Sequence, residues 1–163
     1  MNHTGVIRPG EKENLPGGEL VTCPADASGT YVANGTLGDA TGSFTGSLAK
    51  GALVLHVEGG VVKRVSGSDP LLARRIQVAM RGVTNLDRVA LVSLGTNVGM
   101  TEPVGEIFVD QTLPSFHVSL GLTFPERTGA SWSAESWIGF TSTASDVEVD
   151  GTPIMKAGRY LVT

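Results

Sequence analysis

The sequence predicts a mainly β fold, a β-rich α+β arrangement of twisted sheets or a partly closed barrel with one amphipathic helix at about 70–81. Three observations predict it. The 163 residues include 22 glycines, close to twice an average usage of about 7%, and glycine supplies the backbone angles that tight turns and bulges require. Short runs of Val, Leu, Ile and Phe recur between Gly, Pro, Asn and Asp clusters, the pattern of strands punctuated by reversals. Only one stretch carries apolar residues at helical spacing.

In chain order, residues 1–13 are polar and without periodicity, and read as an N-terminal arm ahead of a single domain at 14–163. Pro16, Gly17 and Gly18 form a turn that delivers a strand from Glu19 to Cys23, stopped by Pro24. Asn34-Gly35 and Asp150-Gly151 are two-residue hairpin signals, because both turn positions must accept positive φ. Val147–Val149 and Pro153–Met155 flank the second. Ala52–Val57 and Val61–Val65 flank Glu58, Gly59 and Gly60 as another hairpin. Asp69 suits an N-cap and Pro70 the first helical position, where its missing N–H costs nothing. Leu72, Ile76, Ala79, Met80 and Val83 then form one apolar stripe, with Gly82 as a stop. Strands follow at Val89–Leu94, Glu106–Asp110, Ser115–Leu122 and Ser136–Phe140. In the third of these, Phe116, Val118, Leu120 and Leu122 share one face, while Ser115, His117 and Ser119 share the other.

Composition excludes several classes of function. The net charge is −4, with only 12 Lys plus Arg, so nothing supplies the cationic surface that nucleic acid binding needs. Arg74, Arg75, Arg81 and Arg88 read as the solvated face of the helix. Cys23 is the single cysteine, which rules out an intrachain disulfide and a paired-cysteine zinc site. It is read as a small buried apolar residue. No apolar run reaches the roughly 20 residues of a membrane span, and the first residues lack the basic start and apolar stretch of a signal peptide. A cytoplasmic location is the expectation, without membrane partners.

Motifs that carry chemistry are missing. The chain has no G-x-S-x-G elbow, no H-E-x-x-H and no phosphate-cradling G-x-x-x-x-G-K-[ST]. Of the three histidines, His3 belongs to the arm and His56 lies in an apolar run, as a hydrogen-bonded structural histidine does. His117 is the remaining candidate base.

The segments Asn14–Glu19, Ser93–Asn97, His117–Gly121, Ser133–Gly139 and Val149–Gly151, with Gly158 and Arg159, fall in one order. Together they resemble the C-terminal domain of the aminopeptidase T and S family, a group of thermophilic-type metallopeptidases. The resemblance covers nearly all of residues 14–163. Relatives of that family include dihydroxypyridine ring-cleaving dioxygenases, so the scaffold is not tied to one reaction. The family's aminopeptidases carry an α/β domain ahead of this one and hold divalent metal between carboxylates and histidines. The resemblance implies that Glu19 and His117 match two of those ligands. The family's Glu before its G-x-G-T-N run is matched by Leu91, and its His-x-Asp pair by Trp137, Ile138 and Gly139. Its acidic stretch before the first His is thinned to Phe108–Gln111. A catalytic metal needs about three protein ligands, so the expectation is a degenerate metallopeptidase or pseudoenzyme with no metal and no cofactor, Asp110 and Glu135 being weak substitutes.

Three readings of such a chain follow. The first is a binding or scaffold domain that holds a peptide or small molecule in the former cleft, in a biosynthetic setting. Trp132 and Trp137 would form its walls, and Glu19, Asp110 and His117 its polar contacts. A homodimer or a partner biosynthetic protein fits this reading. The second is a metal-independent enzyme for hydrolysis, isomerisation or cyclisation of a peptide-derived substrate, with His117 as the base. The third is one half of a split metallopeptidase, completed by a partner chain.

Overall fold

The computed structural model describes residues 1–6, 8–10 and 14–161. Its thirteen described strands form three open sheets, and the β-rich fold is as the sequence predicts. The largest sheet has seven strands. In spatial order these are β1 (Asn2–His3), β2 (Glu19–Thr22), β8 (Val89–Gly95), β9 (Phe116–Leu120), β10 (Ile138–Phe140), β4 (Thr36–Asp39) and β5 (Gly46–Ser47). All neighbouring pairs are antiparallel. A second sheet orders β3 (Gly29–Ala33), β6 (Leu53–Glu58) and β7 (Val61–Gly67), and a third orders β11 (Val147–Val149), β12 (Thr152–Lys156) and β13 (Arg159–Tyr160). No described helix is long and apolar enough to cross a membrane.

Helix α1 (Pro70–Gly82) forms where its periodicity places it. The Asp69 carboxylate accepts from the N–H groups of Leu71 and Leu72, both at 3.0 Å, and so satisfies two of the donors every helix start leaves open. Ala73, Ile76 and Met80 are buried, and Val83 ends the helix in an extended conformation. The stripe joins one core cluster with Leu53, Leu55, Val62 and Val65 of the second sheet and with Leu37, Val118, Leu120, Ile138 and Phe140 of the first. One face of the seven-stranded sheet is therefore committed to the core. Arg74, Arg75 and Arg81 are exposed on α1, but Arg88 lies beyond it and stacks over the Trp132 ring at 4.0 Å.

The hairpins at Gly59-Gly60 and Asp150-Gly151 form as predicted, with positive φ at all four positions. Asn34-Gly35 does not make one. It carries the chain from β3 in the second sheet to β4 in the first, and β3 pairs with β6 instead. The segment Glu106–Asp110, predicted as a strand, is a single helical turn, α2 (Ile107–Asp110), capped by the Glu106 side chain on the Val109 N–H at 3.1 Å. The arm also differs from expectation. Asn2 and His3 pair with Leu20 and Glu19, and His3 is buried.

Candidate functional site

The second face of the large sheet carries a cavity. Alternation along four adjacent strands places Val21 on β2, Leu91 and Ser93 on β8, His117 and Ser119 on β9, and Gly139 just inside β10 on this face. The register sets Val21 opposite Ser93, Ser93 opposite His117, and Ser119 opposite both Leu91 and Gly139. These residues floor a cavity of about 250 Å³. Its walls come from Ile107, Phe108 and Gln111 on and beside α2, from Trp137, and from Leu122, Phe124 and Arg127 beyond β9. Leu122 was expected on the core face. The alternation breaks at Gly121, whose φ is +91°, and Leu122 lines the cavity instead.

Glycine lets the α2 wall come this close. A Cβ on Gly38 would lie 2.6 Å from Ile107 Cγ2, and one on Gly95 would lie 1.9 Å from the Leu113 carbonyl oxygen. Asp110 fastens the same segment. Its carboxylate is fully buried and accepts from the N–H groups of Val104 at 2.7 Å and Gly105 at 2.8 Å, and from the Thr36 hydroxyl at 2.5 Å. It is absent from the cavity lining, which corrects the expectation that Asp110 contacts a ligand.

His117 does line the cavity, but as a wall rather than a base. Its Nε2 lies 2.9 Å from the Leu113 carbonyl oxygen, which makes Nε2 the protonated nitrogen, and its Nδ1 accepts from the Ser142 N–H at 3.4 Å. Burial lowers its pKa to about 4, against smaller opposing effects from Leu113 and Asp110. A neutral ring with both nitrogens engaged has no lone pair for a substrate proton, so the expected catalytic role of His117 is not supported.

Glu19 is the acid inside the cavity, 6% exposed. Burial raises its pKa to about 7, with the Ser93 hydroxyl and the N-terminal ammonium pulling the other way. Trp137 lines the same cavity. The indole packs over Gly139 and meets the Phe108 ring at 5.4 Å between centroids. Trp132 does not join it, being held under Arg88 with its carbonyl accepting from the Thr123 hydroxyl. Cys23 is half-buried, and His56 is half-exposed, with Arg64 donating to it at 2.8 Å.

The donor set does not fit a divalent metal. His117 has both nitrogens in hydrogen bonds, and Leu91 and Trp137 bring apolar surface to the positions beside it. Among the described residues no three His, Cys, Asp or Glu side chains gather as a metal-holding group. Sequence reasoning missed Ser93, Phe108 and Phe124 as lining residues. The alternation Leu91, Ser93, Gly95 carried a signal for Ser93, of the same kind as that for His117 and Ser119 on β9.

No protein-family model and no curated protein matches the chain. Among solved structures it is similar to 2,5-dihydroxypyridine dioxygenase from Pseudomonas putida KT2440, with a TM-score of 0.60 and 17% sequence identity over 88% of this chain. The chain spans 43% of that protein's length. The neighbour is a dioxygenase, which corrects the expectation of an aminopeptidase-like pseudoenzyme. At this identity what the two chains share is the fold.

Proposed function

We propose that this chain is a binding domain that takes a small, largely apolar molecule of about single-ring size in the cavity on the second face of its large sheet. The observation that carries the reading is the cavity itself. About 250 Å³ lies just under the usual range of roughly 300–1,000 Å³ for ligand sites. Apolar side chains dominate the walls, and a few convergent polar groups, Glu19, Ser93 and Ser119, could fix orientation. A larger hollow of about 570 Å³ lies between Thr30, Asn34, Asp146 and Glu148, but exposed side chains border it and water fills such a groove at no cost. The reading of His117 as a base finds no free nitrogen. The function is therefore framed as binding.

Indole serves as a probe of matching size. Ligand-observed saturation-transfer NMR is expected to report binding to the native chain and no binding to Leu91→Trp, whose added ring fills the floor. Absence of transfer to indole and to other single-ring probes from the folded native chain would sink the reading.

A further inference from the structure

A groove separate from the cavity runs along a strand edge. The hollow of about 570 Å³ is bordered on one bank by Thr30, Tyr31 and Val32 of β3, and on the other by residues 145–148, which lead into β11. Side chains alternate across a strand, so three successive residues on one border mean that β3 presents its edge to the hollow rather than a face. Among the described strands β3 pairs with β6 alone, and β11 with β12 alone. No further main-chain hydrogen bond engages residues 30–32 among the described residues. Alternate N–H and C=O groups of β3 therefore point into the groove.

Exposed edges are normally guarded by lysine, proline, an inward charge or a bulge. β3, with the sequence Gly-Thr-Tyr-Val-Ala, has none of these, and its register with β6 runs unbroken over five pairs. Val32 is 48% exposed beside this edge. The groove is too open to enclose a small molecule, but an extended chain brings its own donors and acceptors for the edge. The far bank is acidic. Asp146 and Glu148 border the groove, and no Lys, Arg or His does. Lys156 pairs with Asp146 from outside the lining, so two carboxylates stand against one ammonium.

We propose that this edge docks an extended segment of another protein, which adds to β3 as a further strand and carries a Lys or Arg toward Asp146 and Glu148. Main-chain pairing supplies the affinity, and the carboxylates favour a cationic segment over an acidic one. A β-branched residue of the segment beside Val32 adds a cross-strand contact. The interaction does not depend on the cavity or its ligand.

The test titrates the full, isotope-labelled chain with the capped peptide acetyl-Thr-Val-Lys-Val-Thr-Val-amide and follows amide shifts and affinity. Shifts are expected at Thr30, Tyr31, Val32 and Glu148, with the Trp137 indole unmoved. N-methylation of one alternate set of peptide residues is expected to weaken binding about tenfold or more, and the other set to be tolerated, because only alternate groups face a single edge. Glutamate in place of the peptide lysine is expected to weaken binding about threefold. Val32→Lys guards the edge and is expected to abolish the shifts. Binding that tolerates both methylated sets is side-chain adhesion and overturns the proposal, as does an absence of shifts at residues 30–32 with millimolar peptide. Equal affinity for the lysine and glutamate peptides overturns the cationic assignment. Dimerisation in sedimentation, with residues 30–32 shifting as protein concentration rises and no peptide present, gives the edge to a second copy and overturns the proposal too.

Discussion

Burial drives Glu19 and His117 in opposite directions, and the signs give a test. Glu19 rises from 4.5 to about 7, so the folded chain binds more protons than the unfolded one between those values. Its contribution to stability is complete below pH 4.5 and is lost as pH rises toward 7. His117 falls from 6.5 to about 4, so its contribution is complete above pH 6.5 and is lost as pH falls toward 4. The two slopes oppose each other in the shared window. Urea unfolding of the native chain and Glu19→Gln is expected to show the native advantage shrinking by on the order of 3 kcal/mol between pH 4.5 and 7. A difference that is flat with pH would contradict the burial of Glu19. Asp110 gives a second prediction at this scale. Asp110→Asn replaces one acceptor oxygen by a donor facing Thr36, Val104 and Gly105. It is expected to cost about 2 kcal/mol or more in unfolding free energy. The resemblance singled out Asp110 as a contact because it is what remains of the family's acidic stretch before the first His. It could not reveal that the donors lie in the turn just before it and on β4.

At the scale of elements, local signals were legible and long-range ones were not. Helix α1 and the hairpins after Glu58 and Val149 depend on contacts within a few residues, so capping, period and turn chemistry suffice to find them. Asn34-Gly35 has the same turn chemistry, but Thr36–Asp39 finds a better partner in β10 than in β3. In α2 the run Ile107, Phe108, Val109 satisfies a strand template, and a single capped turn carries too few residues to register a helical period. Two predictions belong here. Asp69→Ala is expected to lower stability by about 1 kcal/mol in thermal or urea unfolding. Gly38→Val would drive a side chain into Ile107. It is expected to cost about 1–3 kcal/mol and to raise amide exchange through residues 104–113 more than in α1.

At the scale of the whole molecule, the site is a product of sheet register. Glu19, Leu91, His117 and Trp137 are distant in sequence, and the strand order β2, β8, β9, β10 alone brings them to one face. The resemblance singled out Glu19, His117 and Trp137, and the structure places these three around one cavity. Trp132 shared the same sequence signal but is taken up by Arg88. The similarity to a dioxygenase over 43% of that protein's length is a property of the scaffold, and the proposed binding reading places this chain's ligand among the side chains of the cavity.

The most direct test of that proposal is an amide and indole chemical-shift map of the full, isotope-labelled chain titrated with unlabelled indole. The expected shifts gather at Val21, Ser93, Ser119, Gly139 and the Trp137 indole, with the Trp132 indole unmoved. Shifts gathered instead around Asn34 and Ser145, or along the outer face of α1, would contradict the assignment of the site.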